Sequence, residues 1–216
     1  MSAEPAARAR DKTKNGKQKT DIYETARQWV ARGEFKIHRR AERGRGNISV
    51  VFLVDSSGSM AAGKQIAHAK KIIGETVREN RGKKVEFSGV ALVNDGARVF
   101  SSSGTDSGKL IENLKNLKTG GRTNMSAGIT LVGKILKKTA KRKTSSAVHI
   151  FTDGRINFCE NGGDPFEESV KRFGAVIDKS VKTTVVDTES GFVKIGAAKR
   201  FADKTGASYA RADMGK

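Results

Sequence analysis

Ile48-Ser-Val-Val-Phe-Leu-Val-Asp55-Ser-Ser-Gly-Ser-Met60 is the stretch that decides the fold. Its first half is an almost unbroken β-branched and aliphatic run. A strand covered on both faces has this composition, as in a parallel sheet. The run ends in a carboxylate and then changes to turn chemistry, with serines around Gly58, a residue that permits a tight bend.

Downstream, helices and strands alternate. Lys64–Glu79 places Ile66, Ala69, Ile73 and Val77 at helical spacing. Val85–Val93 and Ala97–Phe100 read as strands, and the Asn94-Asp95-Gly96 link between them signals a hairpin. Asp106–Leu117 and Met125–Lys138 read as helices, and Ala147–Phe151 as a buried strand. Asp164-Pro165-Phe166-Glu167 is a helix start, with Asp as N-cap and Pro at the first position. Lys182–Val186 is a strand, Val193–Lys204 a helix stopped by Gly206, and Ala207–Tyr209 a last short strand. This order predicts an α/β fold: an open, mostly parallel sheet, helices on both faces, one antiparallel edge strand. Residues 47–213 would form that domain. Residues 1–20 read as a disordered basic tail. Residues 21–46 read as a short helix docked by Trp29, followed by a basic connector.

Composition narrows the function classes. The 216 residues carry 42 Lys/Arg against 23 Asp/Glu, a formal net charge of +19. The first 46 residues hold 13 Lys/Arg against 6 Asp/Glu, and the other 170 hold 29 against 17, so the excess is spread along the chain. Lys137-Lys-Thr-Ala-Lys-Arg-Lys143 is its densest cluster. It reads either as a contact for nucleic acid or an acidic protein, or as a solvated helix end whose cations complement the helix dipole. No window approaches the ~18 apolar residues of a membrane span. Met1–Thr20 lacks the apolar core of a signal peptide. The single cysteine, Cys159, allows no internal disulfide and no Cys-based zinc site. A cytoplasmic location is therefore expected.

Three buried strands end in a carboxylate: Asp55, Asp153 and Asp187. In open α/β sheets, sites form at the carboxyl ends of strands. Acids gathered there repel one another unless a cation neutralises them. The first loop has the form Asp55-x-Ser57-x-Ser59. The second is Thr119-Gly-Gly-Arg122-Thr123-Asn124, just before a helix. The third is Thr152-Asp153-Gly154. Carboxylates and hydroxyls are hard ligands that suit Mg²⁺ or Mn²⁺. Taken singly, each piece has a plain structural reading: Asp55 capping its turn, Ser57 and Ser59 as turn hydroxyls, Thr123 as an N-cap.

Taken jointly, these loops resemble the von Willebrand factor A fold and its metal-ion-dependent adhesion site. That resemblance implies a metal shell of Asp55, Ser57, Ser59, Thr123 and Asp153, some binding directly and some through water. One coordination position would be open to an acidic side chain of a partner. Arg122 and Arg155 flank the implied ion, either guiding that partner or lying on the surface without a role. A closer resemblance is to the D subunit family of magnesium chelatases. It rests on Phe52-Leu-Val-Asp-Ser-Ser-Gly-Ser-Met60, Leu117-Lys-Thr-Gly-Gly-Arg-Thr-Asn124, Phe151-Thr-Asp-Gly-Arg155 and, most tellingly, Val186-Asp-Thr-Glu-Ser-Gly-Phe-Val193. It covers roughly residues 21–213. The chain carries neither the AAA+-like domain nor the acidic, proline-rich linker of that family, and no Gly-x-x-x-x-Gly-Lys-Ser/Thr phosphate loop. Asp187 and Glu189 read either as acids orienting metal ligands or as caps of their own loop.

The resemblance implies a non-catalytic subunit of an ATP-dependent metal chelatase, of the magnesium or cobalt type, serving tetrapyrrole biosynthesis. It would bind Mg²⁺ and bridge or regulate an AAA+ ATPase subunit and a large catalytic subunit. Two other readings are an adaptor of a MoxR-type AAA+ ATPase and a basic RNA-binding protein. Catalysis by the chain alone is not expected: it has no Gly-x-Ser-x-Gly elbow, no Cys/His pair and no dinucleotide fingerprint. His38, His68 and His149 show no ligand spacing, and His149 falls in a buried strand.

Overall fold

The computed structural model describes residues 19–20, 39–40, 48–62, 65–80, 83–102, 107–142, 144–190 and 194–212. Two short strands, β1 (Lys19–Thr20) and β2 (Arg39–Arg40), pair antiparallel. The rest of the expected tail, the Asp21–Arg32 helix and most of the basic connector lie outside the described residues.

The run that opens the domain is β3 (Ile48–Asp55), and it occupies the middle of a six-stranded sheet ordered β5-β4-β3-β6-β7-β8. It pairs in parallel with β4 (Val85–Val93) on one edge and β6 (Ser145–Thr152) on the other. β7 (Lys182–Asp187) and β8 (Ser208–Arg211) continue in parallel. β5 (Gly96–Ser101) is antiparallel at the far edge. The expected architecture is thus the observed one.

Central placement explains the composition of β3. Both edges are hydrogen-bonded and both faces are covered, so no position of Ser49–Asp55 meets water. Val50, Phe52 and Val54 face α2 (Gln65–Glu79) and α3 (Ser107–Lys115) through Ile73, Val77, Leu110 and Leu114. Val51 and Leu53 face α4 (Met125–Lys141), α5 (Pro165–Val176) and α6 (Ala197–Thr205) through Ile129, Val132, Phe173 and Phe201. Burying each such side chain contributes about 1.5–3 kcal/mol. His149 is buried on the first face, tilted against Phe52 with ring centroids 6.1 Å apart. Burial pushes its pKa down to about 4, which keeps the ring neutral.

Local signals fall where the chain needs them. Asn94 and Asp95 both have positive φ, 48° and 63°, the geometry of the tight turn that joins twisted antiparallel strands. Asp164 Oδ1 accepts from Phe166 N and Glu167 N at the start of α5. Three details differ from the sequence expectations. A short helix, α1 (Gly58–Ala62), follows the Asp-x-Ser-x-Ser turn. Gly58 within it has no positive φ and open space around a hypothetical Cβ, so the bend does not need glycine there. The helix expected from Val193 begins at Ala197, because Gly196 takes a left-handed conformation with φ +68°.

Gly154 is where glycine is required. Its φ is +79°, and a Cβ would stand 2.1 Å from Ala198 N, in the first turn of α6. The neighbour is backbone and cannot swing aside. Gly154→Ala should therefore destabilise the fold by ~2 kcal/mol or more, through strain plus overpacking. At roughly 2–4 °C per kcal/mol for a chain of this size, a thermal melt should show a midpoint lowered by about 4 °C or more.

Candidate metal centre

Loops after β3 and β6, and the loop that enters α4, meet at one end of the sheet. Backbone hydrogen bonds lace the first to the second: Gly120 N donates to Ser56 O at 2.8 Å and Gly58 N to Gly121 O at 3.3 Å. Thr123 N donates to Asn157 Oδ1 at 2.8 Å, and Asn157 N returns a bond to Thr123 O at 3.4 Å, joining the second loop to the third. Thr152 Oγ1 donates to Asp55 Oδ2 at 2.9 Å, joining the third to the first. The β4–β5 turn packs beneath: Asp95 accepts from Arg122 N at 2.7 Å, and Asn124 Nδ2 donates to Asp95 O. Gly121, with φ +80°, lets this approach occur, since a Cβ there would meet Asn94 N at 2.9 Å.

Within this frame Asp55 is fully buried. Its Oδ1 accepts from Ser57 N at 2.9 Å. Burial, the dominant effect, pushes its pKa up to about 6. Hydrogen bonds from Ser57 and Thr152 oppose the rise, and the negative charge of Asp153 adds to it. Ser57 Oγ and half-buried Ser59 Oγ lie 3.1 Å apart.

The second loop resolves one ambiguity of the sequence. Asn124, not Thr123, is the N-cap of α4: its Oδ1 accepts from Ala127 N at 3.0 Å. Thr123 Oγ1 is left buried with no hydrogen-bond partner. Asp153 Oδ1 accepts from Arg155 N, while Asp153 Oδ2 is likewise buried without a hydrogen bond. Arg155 Nε is 3.6 Å from that oxygen, which is an ion pair too long for a hydrogen bond. Leaving a buried polar atom unsatisfied costs about 1–3 kcal/mol. A hard cation ligated by these oxygens would satisfy both, so the residues present fit such an ion. Among the described residues no three Asp, Glu, His or Cys side chains gather where they could hold a metal. The candidate centre instead combines two carboxylates with hydroxyls.

The remaining flanking residues have other partners. Arg122 ion-pairs with Asp95 Oδ2 at 2.8 Å and lies over the Phe158 ring, 3.9 Å from its centroid. It braces the loop. That contact holds the Asp95 carboxyl below its usual range. Asp187 Oδ1 accepts from Glu189 N, and its Oδ2 accepts from Tyr209 OH at 2.7 Å. Glu189, 2% exposed, accepts from Ile195 N and Gly196 N at 2.9 and 3.1 Å. It thereby fixes the two amides that lead into α6, whose N-cap residue Gly196 makes no side-chain hydrogen bond. These contacts are those of the loop-capping reading; Gly191, Phe192 and Val193 of the same motif lie outside the described residues. Asn157 and Asp95 were not apparent as site residues from sequence. Each acts through partners about 30 positions away, and no local pattern marks them. Cys159 is buried and donates to Gly163 O.

Residues 50–155 match the family model of the von Willebrand factor type A domain. The chain is 25% identical over 180 residues to the uncharacterized protein Rv2850c of Mycobacterium tuberculosis, covering 82% of this chain and 28% of that protein. It is 25% identical over 224 residues to the magnesium-chelatase 67 kDa subunit of Chlorobaculum tepidum, covering 97% of this chain and 35% of that protein. The chain thus spans about a third of the length of these curated relatives. A solved von Willebrand factor type A structure from Catenulispora acidiphila superposes with a TM-score of 0.59 at 16% identity, covering 80% of this chain and 39% of that one. The fold is therefore of the von Willebrand factor A type. No helix among the described residues is long and apolar enough to cross a membrane.

Two outcomes follow from the raised pKa of Asp55. Its folded pKa of about 6 lies above the ordinary aspartate value of 3.8. The metal-free fold therefore holds the proton more tightly than the unfolded chain. This group's stabilising contribution is complete below about pH 4 and is lost as pH rises through 6, by on the order of 3 kcal/mol. Protons and a cation compete for the same carboxylate, so the rise in melting temperature on adding Mg²⁺ should be large at pH 7.5 and small at pH 5. Thr123→Ala should keep the fold and reduce the Mg²⁺-induced rise, as read by calorimetry.

Proposed function

We propose that the chain is the von Willebrand factor A module of an ATP-dependent metal chelatase of the magnesium or cobalt type, acting in tetrapyrrole biosynthesis. In this reading it performs no chemistry itself. Asp55, Ser57, Ser59, Thr123 and Asp153 hold a Mg²⁺ ion, with Mn²⁺ as a substitute, and an acidic side chain of an AAA+ or large catalytic subunit completes its shell. When bound, the ion supplies a concentrated positive charge between two sets of carboxylates.

The chain's own residues prepare that contact. Thr152 and the Ser57 amide fix the Asp55 carboxylate in one orientation. Asn157 and Asn124 hold the backbone on either side of the Thr123 hydroxyl, so that it need not cap its helix. Arg155, half exposed beside Asp153, adds positive charge at the rim and favours encounter with an acidic partner. The observation that carries the reading is the pair of buried, unbonded oxygens, Thr123 Oγ1 and Asp153 Oδ2. The similarity to the magnesium-chelatase 67 kDa subunit, which spans nearly the whole chain, supports the choice of complex.

Asp153→Ala separates fold from role. The buried side chain follows β6 and makes one hydrogen bond, from Arg155 N, while its other oxygen is unbonded, so circular dichroism and the melting temperature in EDTA should change little. Binding to purified AAA+ and large chelatase subunits in Mg²⁺, measured by biolayer interferometry, should fall about 100-fold or more, the scale of a lost charged anchor in a buried ion-mediated contact. EDTA should reproduce that loss in the unmutated chain, and added Mg²⁺ should reverse it. Retained binding in both cases would refute the metal-mediated bridge. Binding only to an unrelated AAA+ ATPase would refute the chelatase assignment while leaving the bridge intact.

A further inference from the structure

Arg155 stands beside the candidate metal centre in a geometry that the proposed bridge does not require. Asp153 is 1% exposed, and its Oδ2 has no hydrogen bond. Arg155 N donates to Asp153 Oδ1 at 3.0 Å, and Arg155 Nε is 3.6 Å from Oδ2. Among the described residues the guanidinium donates no hydrogen bond, and Asp153 is the one acid within ion-pair distance of it. The group is too far away to satisfy the oxygen and close enough to act on its charge. On the reading that this centre binds Mg²⁺, we propose that Arg155 competes with the ion: its guanidinium is the counter-charge of Asp153 in the ion-free chain and holds the Mg²⁺ affinity of the free chain low.

The backbone fixes both partners of this contact. Gly154, with φ +79°, turns the chain between Asp153 and Arg155, and its close packing against Ala198 N holds the turn. The Arg155 amide holds Asp153 Oδ1, which leaves Oδ2 as the oxygen open to a cation. The Arg155 side chain itself is 49% exposed, so it can swing into solvent when an ion arrives. Other cations of this region are engaged elsewhere. Arg122 pairs with Asp95, and Arg200 lies over the Phe166 ring. Asp187 and Glu189 do not draw Arg155 away, because their oxygens accept from Tyr209 and from backbone amides. A unit charge within about 4–6 Å changes a neighbouring ionisation equilibrium by ~10- to 1000-fold, and a divalent ion feels that field twice over. Half exposure screens the effect, which leaves a penalty on ion affinity of about fivefold to tenfold. The same positive charge attracts an acidic side chain of a partner. Arg155 therefore disfavours the ion in the free chain and favours the partner that completes the ion's shell.

The test is isothermal titration of Mg²⁺ into the full chain at neutral pH. Arg155→Gln and Arg155→Met, two neutral side chains of similar reach, should each tighten Mg²⁺ binding by about fivefold or more. Arg155→Lys, which keeps the charge, should stay within about twofold of the unmutated chain, as should Lys137→Gln, near the far end of α4. Raising NaCl from about 0.05 M to about 0.5 M should narrow the gap between Arg155→Gln and the unmutated chain, because salt screens the repulsion. An arginine that only braces the loop predicts the opposite sign, with looser Mg²⁺ binding in both neutral variants. Equal or looser binding in those variants, while the unmutated chain binds Mg²⁺, overturns the competition and leaves the metal site standing. No Mg²⁺ binding by the unmutated chain or by either neutral variant overturns both. Tightened Mg²⁺ binding without any binding of the chelatase subunits refutes that choice of complex and supports the competition.

Discussion

A carboxylate buried at the end of the central strand is the constraint around which this structure is arranged. Asp55 is fully buried, and taking an ionised carboxylate out of water costs several kcal/mol. Its hydrogen bonds from Ser57 and Thr152 offset part of that cost, while burial and the nearby Asp153 keep its pKa raised. Such an arrangement persists only where surrounding structure holds it or where a ligand compensates. Here the surrounding structure does so: β3 is fixed by pairing on both edges, and Ser57 and Thr152 hold the carboxylate.

The same end of the sheet shows how the chain sets hydroxyls apart. Asn124 takes the capping duty of α4, and this frees Thr123. Asn157 takes the Thr123 amide, and Glu189 takes the amides at the start of α6. Of these, the Asn124 cap is the one that leaves an oxygen, Thr123 Oγ1, without a hydrogen bond. Gly154 completes the arrangement by letting the first turn of α6 close directly over the third loop.

The two ends of the sheet differ in chemistry. Strand C-termini gather carboxylates and hydroxyls in a chain of net charge +19, so that end is a local reversal of sign. The opposite end carries exposed Lys137, Lys138 and Lys141 at the end of α4, and exposed Lys179 and Lys182.

The sequence by itself determined the sheet, its helices and the loops that bear the candidate ligands. These follow from local chemistry: the doubly covered run Ile48–Val54, the helical spacing of Ile66 to Val77, the Asn94-Asp95 turn, the Asp164-Pro165 helix start. Asp55 and Asp153 were legible as strand-end carboxylates, whereas the grouping of Ser57, Ser59 and Thr123 with them came from the resemblance to the von Willebrand factor A family and not from local chemistry. Only the tertiary structure decided what each polar group does with its lone pairs. Whether Thr123 or Asn124 capped α4 depended on a hydrogen bond that either residue could have made. Arg122 lay within reach of the site by sequence, yet Asp95 and Phe158, distant in the chain, draw it away. Asp187 ends a strand as Asp55 does and Glu189 lies in the loop after it, but Tyr209, Glu189 N and the backbone amides of Ile195 and Gly196 occupy their oxygens. Partner choice of this kind is set by which segments meet in space, and periodicity along the chain carries no record of it.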